Sequence, residues 1–205
     1  MKPVPPLAVR GHNLAGFGAE TPLPLAKLFA GERRLYDRIR DPRRRAEWLI
    51  GRAALKAAAA AVNLSTDTSR LQLPHPRLSL THCAGASIAV CADPSGPAAV
   101  LGIGVDYEQD HSVNHEVLRL FASDEELAGL DLGADTTILQ LWTIKEAAFK
   151  ACRENGNLVL NDVVIRHLSS SGCGEAWLRS RDDRIFFSSY RHSSGWLSVA
   201  LSLEI

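Results

Sequence analysis

The stretch "LGIGVDYEQ", residues 101–109, is an apolar run that ends in two carboxylates separated by one residue. Neighbouring side chains of a strand point to opposite faces, so Asp106 and Glu108 share a face with Gly102 and Gly104. The other face, expected to pack on the core, carries Leu101, Ile103, Val105 and Tyr107. The pattern predicts a strand with one face cleared by glycines for a bulky ligand and ending in two acids. An exposed strand end with two solvated acids is the alternative interpretation.

A second group of charged side chains lies in "ILQLWTIKEAAFK", residues 138–150. At 100° per residue, one helix face holds Ile138, Leu139, Trp142, Lys145, Glu146 and Phe149, with Lys150 at its edge. Lys145 and Glu146 are therefore expected on a buried face, where an ionised group needs a partner, a metal ion or a cleft. The alternative is a surface ion pair at the margin of that face, since Glu146 and Lys150 are four residues apart.

The three carboxylates of Asp106, Glu108 and Glu146 come from one predicted strand and one predicted helix. Mg²⁺ takes hard oxygen ligands and usually completes its shell with waters and substrate phosphates. The sequence therefore predicts a Mg²⁺ site that also receives phosphates. His111 and His115 are four residues apart as well, but no third ligand of matching type lies near them, so they are not predicted as a metal site.

Groups suited to bind phosphates lie in the first half of the chain. Arg52 and Lys56 are four residues apart on one predicted helix and share a face. His82 follows a short predicted strand in "SLTHC", with Thr81 as its hydroxyl neighbour. Further basic candidates are Arg33, Arg43, Arg44 and Arg45. The alternative interpretation is that the arginines are solvated and that the histidine is a satisfied surface or core residue.

The charge is unevenly distributed although the chain is neutral overall. Residues 1–100 contain 14 Lys and Arg against 7 Asp and Glu, which leaves 9 and 16 for residues 101–205. The two halves either pair with each other or form one site, in which the basic half receives phosphates and the acidic half holds a cation.

The composition, with 46% hydrophobic and 22% charged residues, is typical of a soluble globular protein. No apolar run approaches the ~18–20 residues that span a bilayer. The start, "MKPVPPLAVRGHN", has no apolar signal core, so we expect no export. The four cysteines show neither zinc nor disulfide spacing and fit a reducing cytoplasm. We expect a cytoplasmic protein without membrane contact.

The order of predicted elements is helices then strands, twice, in halves of about 100 residues. An irregular segment to about Thr21 precedes two helices, the stronger capped by Asp41 with Pro42 at its first position. Short strands follow, then short helices with Ser123 as a cap, a second strong helix from Asp135 to about Arg153, and four strands. This order predicts an α+β fold of two similar halves, because the regular β–α alternation of a doubly wound sheet is missing.

The motifs resemble the paired signature of the 4′-phosphopantetheinyl transferases. "GIGVDYE" matches G-(V/I)-D-x-E, and "LWTIKEAAFK" matches W-x-x-K-E-A-x-x-K. "SLTHC" resembles the S-x-(S/T)-H segment of that family, and "RRRAEWLIGRAALK" resembles its helix carrying G-R. The length and the two halves resemble the larger monomeric branch, the surfactin-synthetase-activating type, which modifies polyketide, peptide-synthetase and fatty-acid carriers. The resemblance covers about residues 33–150, and the last 50 residues carry no motif that aligns.

The resemblance implies a fold and a reaction. The fold would be two pseudo-symmetric α+β halves, each a small antiparallel sheet packed with helices, with the ligand cleft between them. Residues 1–100 would form the nucleotide-binding half, and residues 101–205 the metal-binding and catalytic half. The enzyme would move the phosphopantetheine arm of coenzyme A, its co-substrate, to a serine of an apo acyl or peptidyl carrier protein. Mg²⁺ would be required, and adenosine 3′,5′-bisphosphate released.

By matching position, the resemblance also implies residue roles. Asp106, Glu108 and Glu146 would hold Mg²⁺, and Glu146 would also take the proton of the serine, directly or through water. Lys150 would steady the pyrophosphate and the leaving phosphate. The contacts to coenzyme A would come from Arg52, Lys56, Thr81, His82, Lys145 and Lys150. The match leaves open which of the arginines named above contact the nucleotide. Tyr107 and Cys83 depart from the common residues at their positions, but neither position supplies a required charge.

Two alternatives of other classes remain open at this point. One is a coenzyme A- or carrier-binding protein of the same fold without turnover, against which the complete acid triad argues. The other is a different Mg²⁺-dependent phosphotransferase or a nuclease. A nucleic-acid partner would predict a net positive charge and aromatic stacking positions, whereas the chain is neutral with 6% aromatic residues. Neither the carrier protein nor tolerance of acyl-coenzyme A is predicted by the motifs.

Overall fold

The computed structural model describes residues 2–4, 7–93, 96–113, 115–130, 137–152, 156–179 and 183–204. Two antiparallel sheets form the fold. Sheet 1 contains β1 (Lys2–Pro3), β2 (Leu7–Val9), β3 (His12–Ala19), β4 (Leu78–Cys83) and β5 (Ala86–Ala92). Sheet 2 contains β6 (Val100–Gln109), β7 (Val163–Leu168), β8 (Cys173–Leu178), β9 (Arg184–His192) and β10 (Gly195–Leu203). The strand orders are β1-β3-β5-β4, with β2 also paired to β3, and β6-β10-β9-β8-β7.

The described part of the chain also contains five α-helices: α1 (Ala30–Arg38), α2 (Pro42–Ala61), α3 (His115–Leu118), α4 (Asp124–Ala128) and α5 (Ile138–Ala151). The long helix α2 packs on sheet 1 at β3, β4 and β5, and α5 packs on sheet 2 at β6, β9 and β10. The predicted α+β class, with two halves that each join an antiparallel sheet to helices, is therefore confirmed. None of the described helices is both long and apolar enough to cross a bilayer.

The two sheets also pack against each other. Ile88 and Val90 of sheet 1 share one apolar cluster with Val105, Leu197 and Val199 of sheet 2. Two further clusters lie between α2 and sheet 1 and between α5 and sheet 2. The molecule is thus layered as helix, sheet, sheet and helix, and burial of apolar surface between the sheets holds the halves together.

Local chemistry fixes the starts of the helices. The Asp41 carboxylate accepts a hydrogen bond from the Arg43 amide at 2.8 Å and Pro42 is the first residue of α2, as predicted. Ser123 caps α4, also as predicted. The prediction for α5 differs, because the helix begins at Ile138 and Thr137 caps it through the Gln140 amide. Asp135 and Arg153, its predicted ends, lie outside the described residues.

The prediction of an irregular segment to about Thr21 was wrong. The segment forms β1, β2 and β3, and His12, Leu14 and Ala19 of β3 are buried. Glycines hid the apolar alternation of this strand, and Gly16 shows why one of them is used. A Cβ added at Gly16 would lie 2.6 Å from the Val4 Cβ, so the glycine lets the neighbouring segment approach closely.

Candidate active site

The glycines of β6 lie against helix α5. A Cβ added at Gly102 would lie 2.0 Å from the carbonyl oxygen of Ala151, and one at Gly104 would lie 1.8 Å from that of Ala147. The prediction that these glycines clear a face for a bulky ligand was therefore wrong. They permit a close approach of backbone to backbone, in which the helix replaces the expected ligand.

The close approach determines which side of α5 faces the sheet. Thr143, Ala147 and Ala151, spaced at four residues, are fully buried, whereas Trp142 and Glu146 are half-buried. The predicted stripe was therefore centred on the wrong side of the helix. Glu146 lies at the margin of the buried face, where a carboxylate keeps access to solvent.

Asp106 lies in β6 at the contact with α5 and is 5% exposed. Its Oδ1 accepts a hydrogen bond from the Lys150 ammonium at 2.6 Å and from the Thr81 hydroxyl at 3.0 Å. Lys150 also donates to the carbonyl oxygen of Val105 at 3.2 Å. The other oxygen, Oδ2, is buried and has no hydrogen-bond partner within the described structure. A buried carboxylate oxygen without a protein partner is rare, and it is an atom to which a bound cation or a water could attach.

The charge of Asp106 affects the pKa of both Glu108 and Glu146. Burial raises the pKa of Glu108, and the charge of Asp106 raises it further, whereas His111 and Lys150 lower it. Burial likewise raises the pKa of Glu146; Lys150 lowers it and Asp106 raises it. Each carboxylate is thus destabilised in its charged form by a neighbour of the same sign, which a bound cation would reverse.

These residues fit a hard divalent cation in their chemistry, since all three supply oxygens and the Asp106 Oδ2 atom has no partner among the residues that the structure describes. The side chains do not form a closed ligand set. Within the part of the chain that the structure describes, no group of three or more His, Cys, Asp or Glu side chains lies close enough together to hold a metal ion. The metal site stays a prediction.

Two polar side chains of β4 contact β6. Thr81 was expected at the nucleotide, but it is 4% exposed and its hydroxyl donates to Asp106. Ser79, two residues earlier, accepts a hydrogen bond from the Val105 amide at 3.1 Å. Sequence reasoning missed Ser79, although its place two residues before Thr81 puts both on one face of the strand.

His82 and Arg52 line a cavity of about 180 Å³. The other residues around it are Trp48, Gly51, Leu55, Leu71, Leu73 and Leu80. Although His82 is exposed as a whole, its ring packs on α2, since a Cβ at Gly51 would lie 2.6 Å from its Cε1 atom. Its Nδ1 atom lies 2.7 Å from the Ser87 hydroxyl. Burial lowers the pKa of His82; Glu47 raises it, while Lys150 and Arg52 lower it.

Arg52 and Lys56 are both engaged in the N-terminal half. The Arg52 guanidinium donates to the Thr68 carbonyl oxygen at 3.1 Å and lies 4.6 Å from the centre of the Trp48 ring. The Lys56 ammonium contacts the Glu32 carboxylate at 2.8 Å and the Thr66 carbonyl oxygen at 2.7 Å. The two side chains therefore share a face as predicted, but only Arg52 lines the cavity.

The structure places Lys145 away from the other predicted residues. Its side chain is fully buried, and its ammonium donates to the Glu126 carboxylate at 2.8 Å and to the carbonyl oxygen of Phe121. Glu126 also accepts a hydrogen bond from the Ile165 amide at 2.7 Å. The ion pair ties α5 to α4 and β7, so Lys145 lies in the core and not at the seam where β4 meets β6.

The basic residues of α1 and of the start of α2 lie on the surface or contact residues close to them in the chain. Arg33 pairs with Asp37 at 3.3 Å, and Arg43 pairs with Glu47 at 3.2 Å. Arg45 donates to the Ile39 carbonyl oxygen at 2.6 Å. The side chain of Arg44 is exposed. None of the four lines the cavity at Arg52, as far as the described residues define it.

Two larger cavities, of about 560 and 540 Å³, lie along β7. Arg166 lines both, and Trp177 and Trp196 each line one of them. Neither contains a residue predicted from the motifs, so size alone does not locate the candidate site.

A comparison with protein families gives a match in the second half of the chain. Residues 102–200 match the sequence model of the 4′-phosphopantetheinyl transferase superfamily. The matched segment includes Asp106, Glu108, Glu146 and Lys150 and ends within β10. A search of curated proteins finds no match to the chain.

Proposed function

We propose that this protein, whose residues 102–200 form a domain of the 4′-phosphopantetheinyl transferase superfamily, transfers the phosphopantetheine arm of coenzyme A to a carrier protein. The acceptor would be a serine of an apo acyl or peptidyl carrier protein, and adenosine 3′,5′-bisphosphate would leave. The observation that carries the proposal is the contact between β6 and α5. Glycines at that contact bring Lys150 to the Asp106 carboxylate, whose Oδ2 atom has no partner among the described residues, and Glu146 lies half-buried one helical turn before Lys150.

Asp106, Glu108 and Glu146 are the residues that would hold Mg²⁺. Bound there, the ion would neutralise the pyrophosphate of coenzyme A and align it with the incoming hydroxyl. The all-oxygen donor set and the free Asp106 Oδ2 atom support this assignment.

The chemical step needs a proton acceptor and a cation at the leaving group. The serine oxygen forms a bond to the phosphorus nearer the pantetheine arm, and the bridging phosphorus–oxygen bond breaks. The electron pair leaves with adenosine 3′,5′-bisphosphate, and the serine proton goes to Glu146. Glu146 is half-buried at the margin of α5, so its carboxylate can take up this proton and pass it on to solvent. The Lys150 ammonium stabilises the negative charge that develops on the leaving phosphate.

The nucleotide end of coenzyme A would lie in the N-terminal half. Arg52 and His82 line a small cavity whose walls are otherwise largely apolar, and Trp48 offers a ring beside the guanidinium. We assign to Arg52 and His82 the direct contacts. Lys56 is already paired with Glu32, so we assign to it mainly the support of this wall. We assign no contact with coenzyme A to Lys145 or Thr81, because their polar groups are buried against Glu126 and Asp106.

We propose the same two-part organisation for the whole chain. Residues 1–100 would bind the nucleotide, and residues 101–205 would bind the metal and catalyse the transfer. His82 lines the cavity at Arg52 while its neighbour Thr81 contacts Asp106, so one chain supplies both parts of the proposed site, which supports a monomeric enzyme. The four cysteines, all within the described residues, form no disulfide with one another, which supports a reducing cytoplasmic location. The carriers would serve polyketide, peptide or fatty-acid synthesis.

The proposal is tested by the intact mass of an apo carrier incubated with the protein, coenzyme A and Mg²⁺. We expect the wild type to add the arm and Glu146→Ala to convert little, while Glu125→Ala, which changes an exposed acid of α4, stays active. Near-normal conversion by Glu146→Ala would contradict the assignment of Glu146 as the acceptor of the serine proton.

A non-enzymatic binding protein is the second candidate, and the open arrangement of the three acids favours it. Coenzyme A binding in a calorimeter, without conversion of any of several apo carriers, would support this candidate and contradict the transferase.

A further inference from the structure

The edge strands β4 and β6 meet without forming a backbone ladder between them. In the described sheets β4 pairs with β5, and β6 pairs with β10. Two β4 hydroxyls bridge the strands instead, and they reach consecutive residues of β6. Ser79 accepts from the Val105 amide at 3.1 Å, and Thr81 donates to the Asp106 carboxylate at 3.0 Å.

Thr81 and Lys150 together fix one side of the Asp106 carboxylate. Both donate to Oδ1, Thr81 from the first half of the chain and Lys150 from the second. Thr81 and Asp106 are 4% and 5% exposed, so water competes little for this hydrogen bond. The carboxylate is thereby held with Oδ2 as its free atom, for which no partner exists among the residues described.

The next residue after Thr81 faces the other part of the candidate site. His82 lines the small cavity with Arg52, whereas the Thr81 hydroxyl reaches the acids of the second half. Successive residues of one strand point to opposite faces, so β4 presents one side chain to each part of the site.

We propose that Thr81 is a positioning residue for the metal-binding carboxylate of Asp106, and that it does not contact the nucleotide. The proposal rests on the proposed function, in which Asp106 binds Mg²⁺. Groups that orient a ligating carboxylate control metal affinity, because they hold the free oxygen where the ion needs it. Thr81 thus couples the half that receives the nucleotide to the half that holds the ion.

Direct metal binding tests this inference without any turnover. We would titrate the protein with Mn²⁺ alone and measure free Mn²⁺ by electron paramagnetic resonance. Thr81→Val keeps the shape but removes the hydroxyl, and we expect its Mn²⁺ affinity to fall by about 10–100-fold. Thr81→Ser should restore most of the affinity. Ser79→Ala, which removes the neighbouring bond without touching Asp106, should bind Mn²⁺ as the wild type does.

Binding of adenosine 3′,5′-bisphosphate with a metal chelator present is the second measurement. We expect Thr81→Val to bind it like the wild type. Unchanged Mn²⁺ affinity in Thr81→Val, or a loss confined to the nucleotide, would overturn the inference. Thermal unfolding checks each variant, and if Thr81→Val fails to fold, Thr81→Ala is compared with Thr81→Ser instead. If the wild type itself binds no Mn²⁺ and modifies no carrier, the proposed function fails. If the wild type binds Mn²⁺ and modifies the carrier, but the Thr81 variants bind Mn²⁺ equally well, this inference alone fails.

Discussion

Each half of the protein pairs a lysine of its long helix with a buried carboxylate, but the two pairs differ in how well the acid is satisfied. Lys56 of α2 pairs with Glu32 at 2.8 Å, and Lys150 of α5 pairs with Asp106 at 2.6 Å. Glu32 also accepts hydrogen bonds from the Phe29 amide and from the amide and hydroxyl of Thr68, so both of its oxygens are used. Asp106 uses only Oδ1, and Oδ2 remains unpaired in the described structure.

This difference distinguishes a structural ion pair, at Glu32, from an ion pair that can still bind a ligand, at Asp106. Both lysines lie in motifs that predict phosphate binding, and periodicity treats them alike. A fully satisfied carboxylate such as Glu32 fixes α1, α2 and the turn at Thr68 together, and it has no bonding capacity left for a ligand. A partly satisfied carboxylate such as Asp106 keeps that capacity, and a buried acceptor without a partner lowers stability.

Removing the acid of each pair gives the largest expected contrast. Glu32→Gln leaves the Lys56 ammonium without its buried counter-charge and places an amide donor against other donors. We expect the free energy of unfolding to fall by about 3–5 kcal/mol. Asp106→Asn should cost less than about 1 kcal/mol, because Lys150 is partly exposed and can turn to solvent. Urea unfolding of both variants measures the contrast, and equal losses would contradict it.

The buried pair of Lys145 and Glu126 is a second structural ion pair by the same criterion, since Glu126 also accepts from the Ile165 amide. Lys145→Met should lower the free energy of unfolding by about 3 kcal/mol, because it leaves a buried carboxylate without its counter-charge. Adding Glu126→Gln, which keeps an acceptor for Ile165, should recover part of that loss. The affinity of the folded variant for coenzyme A, measured by calorimetry, should be unchanged. A large loss of that affinity would place Lys145 at the ligand after all.

The close contact of β6 with α5 is expected to matter for both stability and activity. Gly104→Ala places a Cβ within 2 Å of where the Ala147 carbonyl oxygen lies, so the helix must move. We expect a loss of about 1–3 kcal/mol from overpacking. The transfer rate should fall by about 100-fold, because Glu146 and Lys150 move with the helix. Gly156→Ala is the matched control, since its added Cβ meets no described atom within 4 Å. Wild-type transfer by a folded Gly104→Ala protein would contradict the role given to this contact.

The dependence of stability on pH gives the smallest effect. Burial acts to raise the pKa of Glu32, but hydrogen bonds from Lys56, Thr68 and Phe29 outweigh it and hold the pKa below its usual value. The unfolded chain therefore binds this proton first, and the stabilisation is present above the unfolded pKa and lost as pH falls through the folded one. Glu32→Gln should differ from the wild type less at about pH 3 than at pH 7, with a change of at most about 1.4 kcal/mol per pH unit. A constant difference in urea unfolding would show that Glu32 does not act through its charge.

What the sequence predicted correctly depended on local rules. The alternation of a strand puts Asp106 and Glu108 on one face, and capping chemistry starts α2 after Asp41. What it missed depended on contacts between distant segments. The purpose of Gly104 is visible only once α5 is known to pack on β6, and the partner of Lys145 comes from another helix.

In the proposed function, the incompletely satisfied acid site between β6 and α5 performs the transfer. The most direct test compares wild type and Asp106→Asn by the intact mass of an apo carrier, with coenzyme A and Mg²⁺ present. We predict that the wild type converts the carrier while Asp106→Asn, folded to the same extent by thermal unfolding, leaves it unmodified. Equal conversion by the two proteins would contradict the claim.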